Sequence, residues 1–411
     1  LRPLLLLSNG HGEDLSGALL GRELRRRGLA VEAMPLVGNG GAYGQEGITV
    51  VGGATREFST GGLGYTSLKG RLTELRQGQP FYLLRRLVWL RRARRRYGLV
   101  LAVGDLVPVL AARLMGRPAA VYLVAYSSHY EGRLRLPFPC GWLLRARCWQ
   151  AIWSRDALTA RDLSAQLGRP VRFVGNPFLD MVALEKSVAG DAPGCPSLAL
   201  LPGSRLPEAG RNLALMLRLL PWLPEPLQDS ERLRLQAALV GALSVEAVRA
   251  VAEPLGWRLA SQPAAGEVGN CPILERGRLR LELHWGRFAA VLRSSDLVLS
   301  MTGTAAEQAV GLGLPVLQLA GEGPQFTAGF AEAQRRLLGP GVYCAPGAVG
   351  EEGALRAAAA LAGELVERQG DPQRGPAWRR ELQQLAEERI GPPGGSNRMA
   401  TAIMELIQQA L

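Results

Sequence analysis

The chain has 411 residues, 47% hydrophobic and 20% charged, with 48 Lys and Arg against 36 Asp and Glu for a formal net charge of +12. That length suits two domains, each large enough to bury a core, and the balance of apolar and charged residues excludes a disordered or fibrous chain. The five cysteines, at 140, 148, 195, 271 and 344, contain no C-x-x-C pair, which argues against a zinc site or a disulfide framework and for a reducing cytoplasm.

Four leucines at 4–7 lead straight into Ser8-Asn9-Gly10-His11-Gly12-Glu13-Asp14, so they read as a first core strand rather than a signal peptide, and export is not expected. Further short β-rich runs follow at 30–37, 48–51, 99–104, 119–125, 151–153 and 171–174, alternating with helical patterns. Such repetition implies a parallel sheet covered on both faces. The greasiest stretch, 99–126, is broken by Asp105, Arg113 and Arg117, so no membrane span is expected. A run rich in Gly, Ala and Pro at 188–196 reads as a linker. A second α/β series then begins at 197–201 and continues at 233–240, 279–284, 297–300, 315–319 and 341–344. The chain closes on an amphipathic helix at 398–411.

Between the third and fourth runs, residues 81–97 hold seven arginines around apolar positions. The spacing predicts a helix that buries Phe81, Leu84, Val88, Leu87 and Leu90 and presents its arginines to water or to an anionic membrane surface. Positive charge in excess attracts phosphate on nucleic acid, lipid headgroups or a nucleotide sugar. No recognisable nucleic-acid module accompanies it, so nucleic acid is not an expected partner.

In parallel sheets, ligands bind beyond the carboxyl ends of the strands, and three strand-to-helix turns stand out there. In the first, Gly10 and Gly12 allow a tight turn ahead of a helix expected to start near Leu15, where Glu13 and Asp14 either face a ligand or cap the helix. The pattern is not a dinucleotide fingerprint, because Leu15 stands where the third glycine would be. In the second, Pro202-Gly203-Ser204-Arg205, the glycine permits close approach, the serine donates, and the guanidinium forks two donors onto a leaving diphosphate. The third is 299–307, where Thr302, Gly303 and Thr304 fit a phosphate and Glu307 fits ribose hydroxyls. Beyond the next strand, Glu322 and Gln325 are candidates for sugar contacts.

For deprotonating an acceptor hydroxyl, Asp105 at the end of the run 99–104 is the first candidate, because partial burial raises a carboxyl toward a useful pKa. His11 is the second, since imidazole titrates near neutrality. His129 and His284 show no neighbours in sequence that suggest metal ligation, and no Asp-x-Asp motif occurs, so neither a metal site nor a metal-dependent reaction is expected.

Taken in order, Gly12-Glu13-Asp14-Leu15-Ser16-Gly17, Val103-Gly104-Asp105, Phe173-Val174-Gly175-Asn176-Pro177, 200–205 and 300–307 resemble the lipid A disaccharide synthases, in particular the cyanobacterial-type related proteins. The resemblance covers nearly the whole chain. It implies an α/β protein of the GT-B class: two Rossmann-like parallel-sheet domains facing a central cleft, an N-terminal acceptor-side domain at 1–187 and a UDP-sugar domain at 197–392, with the helix 398–411 packing back on the first. It further implies an inverting, metal-independent enzyme that needs no cofactor beyond UDP-sugar as co-substrate. Asp105 and Arg205 match the essential aspartate and arginine. Gly10, His11, Gly12 and Glu13 fall on the acceptor side, and the basic helix lies by a lipid acceptor. Such a protein would be cytoplasmic and peripheral on the inner face of the membrane.

Two departures touch that acceptor side. The family's first loop reads Gly-Glu-x-Ser-Gly-Asp, whereas Gly-His-Gly-Glu-Asp here resembles the loop of the glycosyltransferase that acts on lipid-linked muramyl peptide. Ala125-Tyr126-Ser127-Ser128-His129-Tyr130 stands where the family has Trp-Ala-Trp. The alternatives are an enzyme like UDP-N-acetylglucosamine 2-epimerase, for which three histidines are few, and a non-catalytic UDP-sugar or lipid-binding protein, since fold does not fix function.

Overall fold

A computed structural model describes residues 2–55, 79–183, 195–260, 271–322 and 327–409. The chain divides into two compact units, Leu1–Asp180 with Gly391–Leu411, and Met181–Ile390. The linker read at 188–196 lies largely outside the described residues.

The first unit is built on six parallel strands, β1 (Leu4–Ser8), β2 (Val31–Pro35), β3 (Thr49–Val50), β4 (Leu99–Val103), β5 (Ala119–Leu123) and β6 (Trp149–Ser154), in the order β3-β2-β1-β4-β5-β6. Alternation along each strand divides the core into two layers. In β1, Leu4 and Leu6 join Ala18, Leu20 and Leu24 of the helix His11–Arg26, while Leu5 and Leu7 face the opposite layer. All four are at most 1% exposed, and burying each contributes about 2 kcal/mol before chain entropy is counted. The opposite layer is roofed by the helices Gln79–Ala93, Leu106–Met115, Cys140–Leu144 and Ala157–Leu167. The strand predicted at 171–174 shrinks to one bridge, between Trp153 and Arg172.

The basic helix is turned differently from the prediction. Leu90 is buried, and Leu83 and Leu87 are partly so, but Phe81, Leu84 and Val88 are exposed. The cause is Arg86, which is itself buried: its guanidinium donates to the carbonyls of Val51 (3.2 Å) and Ala54 (3.0 Å) and to the Tyr82 hydroxyl. Docking this arginine inward rolls the stripe of Phe81, Leu84 and Val88 outward.

The closing helix runs over Gly395–Gln409 and packs Met399, Ala400 and Ile403 on the first layer, alongside His11–Arg26. Asp180 fastens its start by accepting from the backbone N–H groups of Gly394 and Ser396 and from the Ser396 hydroxyl. Gly175, at φ +95°, lets the strap pass: a Cβ there would stand 2.5 Å from the Pro392 carbonyl oxygen. The Gly175-Asn176-Pro177 motif therefore does structural work in this chain.

The second unit carries eight strands, β7 (Ser197–Leu201), β8 (Arg234–Leu239), β9 (Arg258–Leu259), β10 (Ile273–Arg276), β11 (Leu279–Trp285), β12 (Leu297–Ser300), β13 (Val316–Gln318) and β14 (Val342–Cys344), ordered β14-β13-β12-β7-β8-β11-β10-β9. Six of them are parallel. At one edge β10 pairs antiparallel with both β9 and β11, a departure from the expected all-parallel sheet. Gly277, at φ +60°, closes the tight β10–β11 turn, and its single glycine was a weak signal. No helix among the described residues is long and apolar enough to cross a membrane.

Candidate active site

In the first unit the parallel register of β1 with β4 sets Ser8 opposite Val103, which brings the residues just beyond them together. Asn9 donates to both carboxylate oxygens of Asp105, at 3.2 and 3.1 Å. Asp105 also caps the helix Leu106–Met115 by accepting from the Val107 N–H at 2.9 Å. It is 8% exposed. Burial raises its carboxyl above the ordinary range, against the pull of the Val107 and Asn9 bonds.

The predicted loop 10–14 is mostly helix. The helix begins at His11, not near Leu15, so His11, Gly12, Glu13 and Asp14 form its first turn and Gly10 its N-cap. Neither acid is that N-cap, which makes no side-chain hydrogen bond. The side chain of His11 is outside the described set. Glu13 lies in a slot between two glycines, both at φ +132°. A Cβ on Gly10 would stand 2.5 Å from its Oε2, and one on Gly104 would stand 2.8 Å from its Cγ. Only glycine admits the side chain to Asp105's side. Burial first, and then the charge of Asp105, push the Glu13 carboxyl up to about 8, with Arg155 pulling the other way. Asp14 is buried and accepts from the Ser8 hydroxyl at 2.6 Å.

Two further strand ends complete this set. Buried Arg155, after β6, donates to the Val124 carbonyl at 3.1 Å. The segment 125–130 is fastened rather than open: the Ser127 hydroxyl donates to Asp156 at 2.7 Å, and His129 Nε2 stands 3.6 Å from the same carboxylate. Sequence reasoning passed over Asn9, Arg155 and Asp156. Asn9 lay inside the inspected loop, but its pairing with Asp105 spans 96 positions and only the register reveals it.

In the second unit, β7 and β12 are neighbours in the sheet, so their two following loops meet. A Cβ on Gly203 would lie 3.7 Å from Thr302 Cγ2. Buried Asn212 holds the first loop by donating to the Pro202 carbonyl at 2.8 Å, and the Ser300 and Thr302 hydroxyls are 2.8 Å apart. Ser204 and Arg205 are exposed on the first loop, and Thr302, Gly303 and Thr304 are partly exposed on the second. Thr304 opens the helix Thr304–Gly311, and Glu307 sits buried in its first turn. Glu322 follows β13, the next strand over, and is exposed. Gln325 lies outside the described residues. These loops offer hydroxyls, backbone N–H groups at a helix start and one arginine, the set that suits an anion.

His284 has neighbours that the sequence did not disclose. Cys271, Glu282 and His284 bring potential ligand atoms within 4.8 Å of one another. Glu282 is already engaged, however, by both Arg234 (3.0 and 2.8 Å) and His284 Nε2 (3.1 Å). Burial opposes ionisation there, but these partners win and hold the Glu282 carboxyl down at about 2. A carboxylate bridged by a guanidinium is a poor ligand, and the trio reads as an ion-pair network.

No protein-family model matches the chain. It is 31% identical over 159 residues to a lipid-A-disaccharide synthase of Alkalilimnicola ehrlichii, a match that spans 36% of this chain and about a third, 35%, of that protein. Whole-chain likeness is seen with solved structures. CalG4, the calicheamicin glycosyltransferase, superposes with a TM-score of 0.61 at 16% identity, covering 100% of this chain and 99% of its own. A UDP-N-acetylglucosamine 2-epimerase of Listeria monocytogenes, itself named as putative, gives 0.52 at 15%, covering 100% and 98%. The fold is the GT-B one, two α/β domains with parallel-strand sheets. Glycosyltransferases and epimerases share it.

Proposed function

We propose that this protein is a metal-independent glycosyltransferase that moves a sugar from a UDP-sugar to a hydroxyl of a lipid or lipid-linked acceptor. The observation that carries the reading is the Glu13–Asp105 pair beyond β1 and β4. Two carboxyls held together do not both ionise easily. Glu13 keeps its proton near neutral pH. The donors Asn9 and Val107, which oppose the upward pull of burial on Asp105, favour its ionised form, the one able to accept a proton. In the proposed step the acceptor oxygen attacks the anomeric carbon, its proton passes to Asp105, and the bond from sugar to diphosphate breaks with both electrons leaving on UDP. Arg205, with Ser204 and the turn at Thr302, Gly303 and Thr304, would hold the diphosphate, and Glu307 the ribose. The local similarity to a lipid-A-disaccharide synthase favours a lipid acceptor, and the seven arginines of 81–97 favour work at an anionic membrane on its cytoplasmic side.

The epimerase likeness supports a second reading, in which the same carboxyls move a proton on the donor itself. The two separate in one experiment: UDP-glucose, UDP-galactose, UDP-N-acetylglucosamine and acylated UDP-N-acetylglucosamine are incubated with and without an acylated amino-sugar acceptor and followed by NMR. Transfer predicts UDP release that needs acceptor. A 2-epimeric sugar or free glycal formed without acceptor would replace this reading with the epimerase one.

A further inference from the structure

Large apolar side chains exposed to water are unevenly distributed over the first unit. Among its described residues they all fall on the side roofed by Gln79–Ala93, Leu106–Met115 and Cys140–Leu144, which share one core layer. Phe81, Leu84 and Val88 stand on the first of these helices and Leu110 and Leu114 on the second, and Arg91 joins the two by donating to the Leu114 carbonyl at 3.0 Å. Phe138 and Trp142, at the start of the third, are 92% and 68% exposed. Next to them a cavity of about 550 Å³ is lined by Leu134, Leu136 and Leu167 together with Arg133, Arg135, Arg145 and one acid, Glu131. On the other side of the sheet, over His11–Arg26 and Gly395–Gln409, no large apolar side chain is exposed among the described residues.

Charge follows the same division. Residues 79–167, which span the four roofing helices, contain fifteen arginines against four acids, Asp105, Glu131, Asp156 and Asp162, and Asp105 and Asp156 are buried. Exposed Arg85, Arg92, Arg95, Arg113 and Arg135 have no ion pair among the described residues. The surplus of positive charge is what an anionic surface attracts. Bare aromatics beside a surplus of exposed arginines match a bilayer's layering of acyl chain and anionic headgroup.

We infer that this side of the first unit docks on an anionic lipid bilayer, with Phe138 and Trp142 as the inserted anchor and the surrounding arginines on the headgroups. The inference extends the membrane part of the proposed function and is independent of the sugar chemistry. It also changes the expected contact, since the outward stripe of Phe81, Leu84 and Val88 adds apolar insertion to the attraction of the arginines.

The test is co-sedimentation of the full chain with vesicles of phosphatidylcholine alone and with about 30% phosphatidylglycerol. The wild type should bind the anionic vesicles and leave the neutral ones, and binding should fall as salt rises. Phe138→Ser with Trp142→Ser should weaken it roughly tenfold, and each of Arg133→Gln, Arg135→Gln and Arg145→Gln about fivefold. Arg26→Gln with Arg27→Gln, on the other side of the sheet, should change it little. No binding to anionic vesicles, unchanged binding in the Phe138/Trp142 variant, or equal loss in the Arg26/Arg27 variant would each overturn the inference. So would a wild type that self-associates through Phe138 and Trp142 while the variant still binds vesicles. UDP affinity measured on the same preparations keeps the two readings apart: an intact vesicle result with no UDP binding sinks the transferase and leaves the docking face.

Discussion

The two units place different chemistry at the same point of the same architecture. Beyond β7 and β12 the second unit has open turns, with Arg205 and Ser204 exposed. Beyond β1 and β4 the first unit has a packed set in which Glu13, Asp14 and Asp105 crowd together, with Asn9 and Arg155 in support. A parallel sheet supplies a ligand position at its strand ends without dictating what is held there. Small residues before a helix start make an anion seat, whereas glycines at φ +132° that admit a carboxyl make a place to keep a proton. Under the proposed function this difference becomes a division of labour, with donor affinity in the second unit and proton transfer in the first.

The largest effect that can break this division is on turnover. Asp105→Asn keeps the shape but removes the proton acceptor, so turnover should fall about a hundred- to ten-thousand-fold while UDP affinity stays near normal, as read by steady-state kinetics and calorimetry. Glu13→Gln, which keeps the neutral state of that side chain, should cost turnover far less. Turnover that survives in Glu13→Gln and in Asp105→Asn but collapses in His11→Ala would move the base to His11. Next in size is Arg205→Ala, which removes charge-assisted bonds worth roughly 1.5 to 3 kcal/mol and should weaken UDP about tenfold to a hundredfold. Smaller still, Glu307→Ala should weaken uridine nucleotides by about 1 kcal/mol and leave inorganic diphosphate unaffected. Equal loss for both ligands would take Glu307 off the ribose.

A further effect is on the pH dependence of stability rather than on activity. The native Glu13 carboxyl holds its proton to about pH 8, against an ordinary value of 4.5. Below 4.5 folded and unfolded chains are both protonated there and the group is neutral to stability. Between 4.5 and 8 only the folded chain keeps the proton, so this group lowers stability as pH rises. Thermal melts of Glu13→Gln should therefore lose less stability than wild type between pH 5 and 8. Parallel curves would mean that Glu13 ionises normally.

Much of the sheet could be read from the chain because β-rich runs such as 197–201 and 297–300 are bounded by turn residues and buried throughout. What escaped was local or long-range. The β10 strand is four residues long and pairs through one glycine turn. The helix at Gln79–Ala93 offers two apolar stripes, and the choice between them rests on where Arg86 finds carbonyl partners, which no helical period records. Gly10, Glu13, Asp105 and Arg205 were each visible as strand-end residues. That Glu13 packs between Gly10 and Gly104 beside Asp105 depends on β1 and β4 being neighbours although more than ninety positions separate them.

The division of labour is tested most directly by measuring UDP affinity and turnover on Asp105→Asn and Arg205→Ala side by side, with the same donor and acceptor. The account predicts a crossed pattern: near-normal UDP binding with turnover down about a hundredfold or more in Asp105→Asn, and UDP binding weakened at least about tenfold in Arg205→Ala. Loss of UDP affinity in Asp105→Asn equal to that in Arg205→Ala, or unchanged turnover in Asp105→Asn, would contradict it.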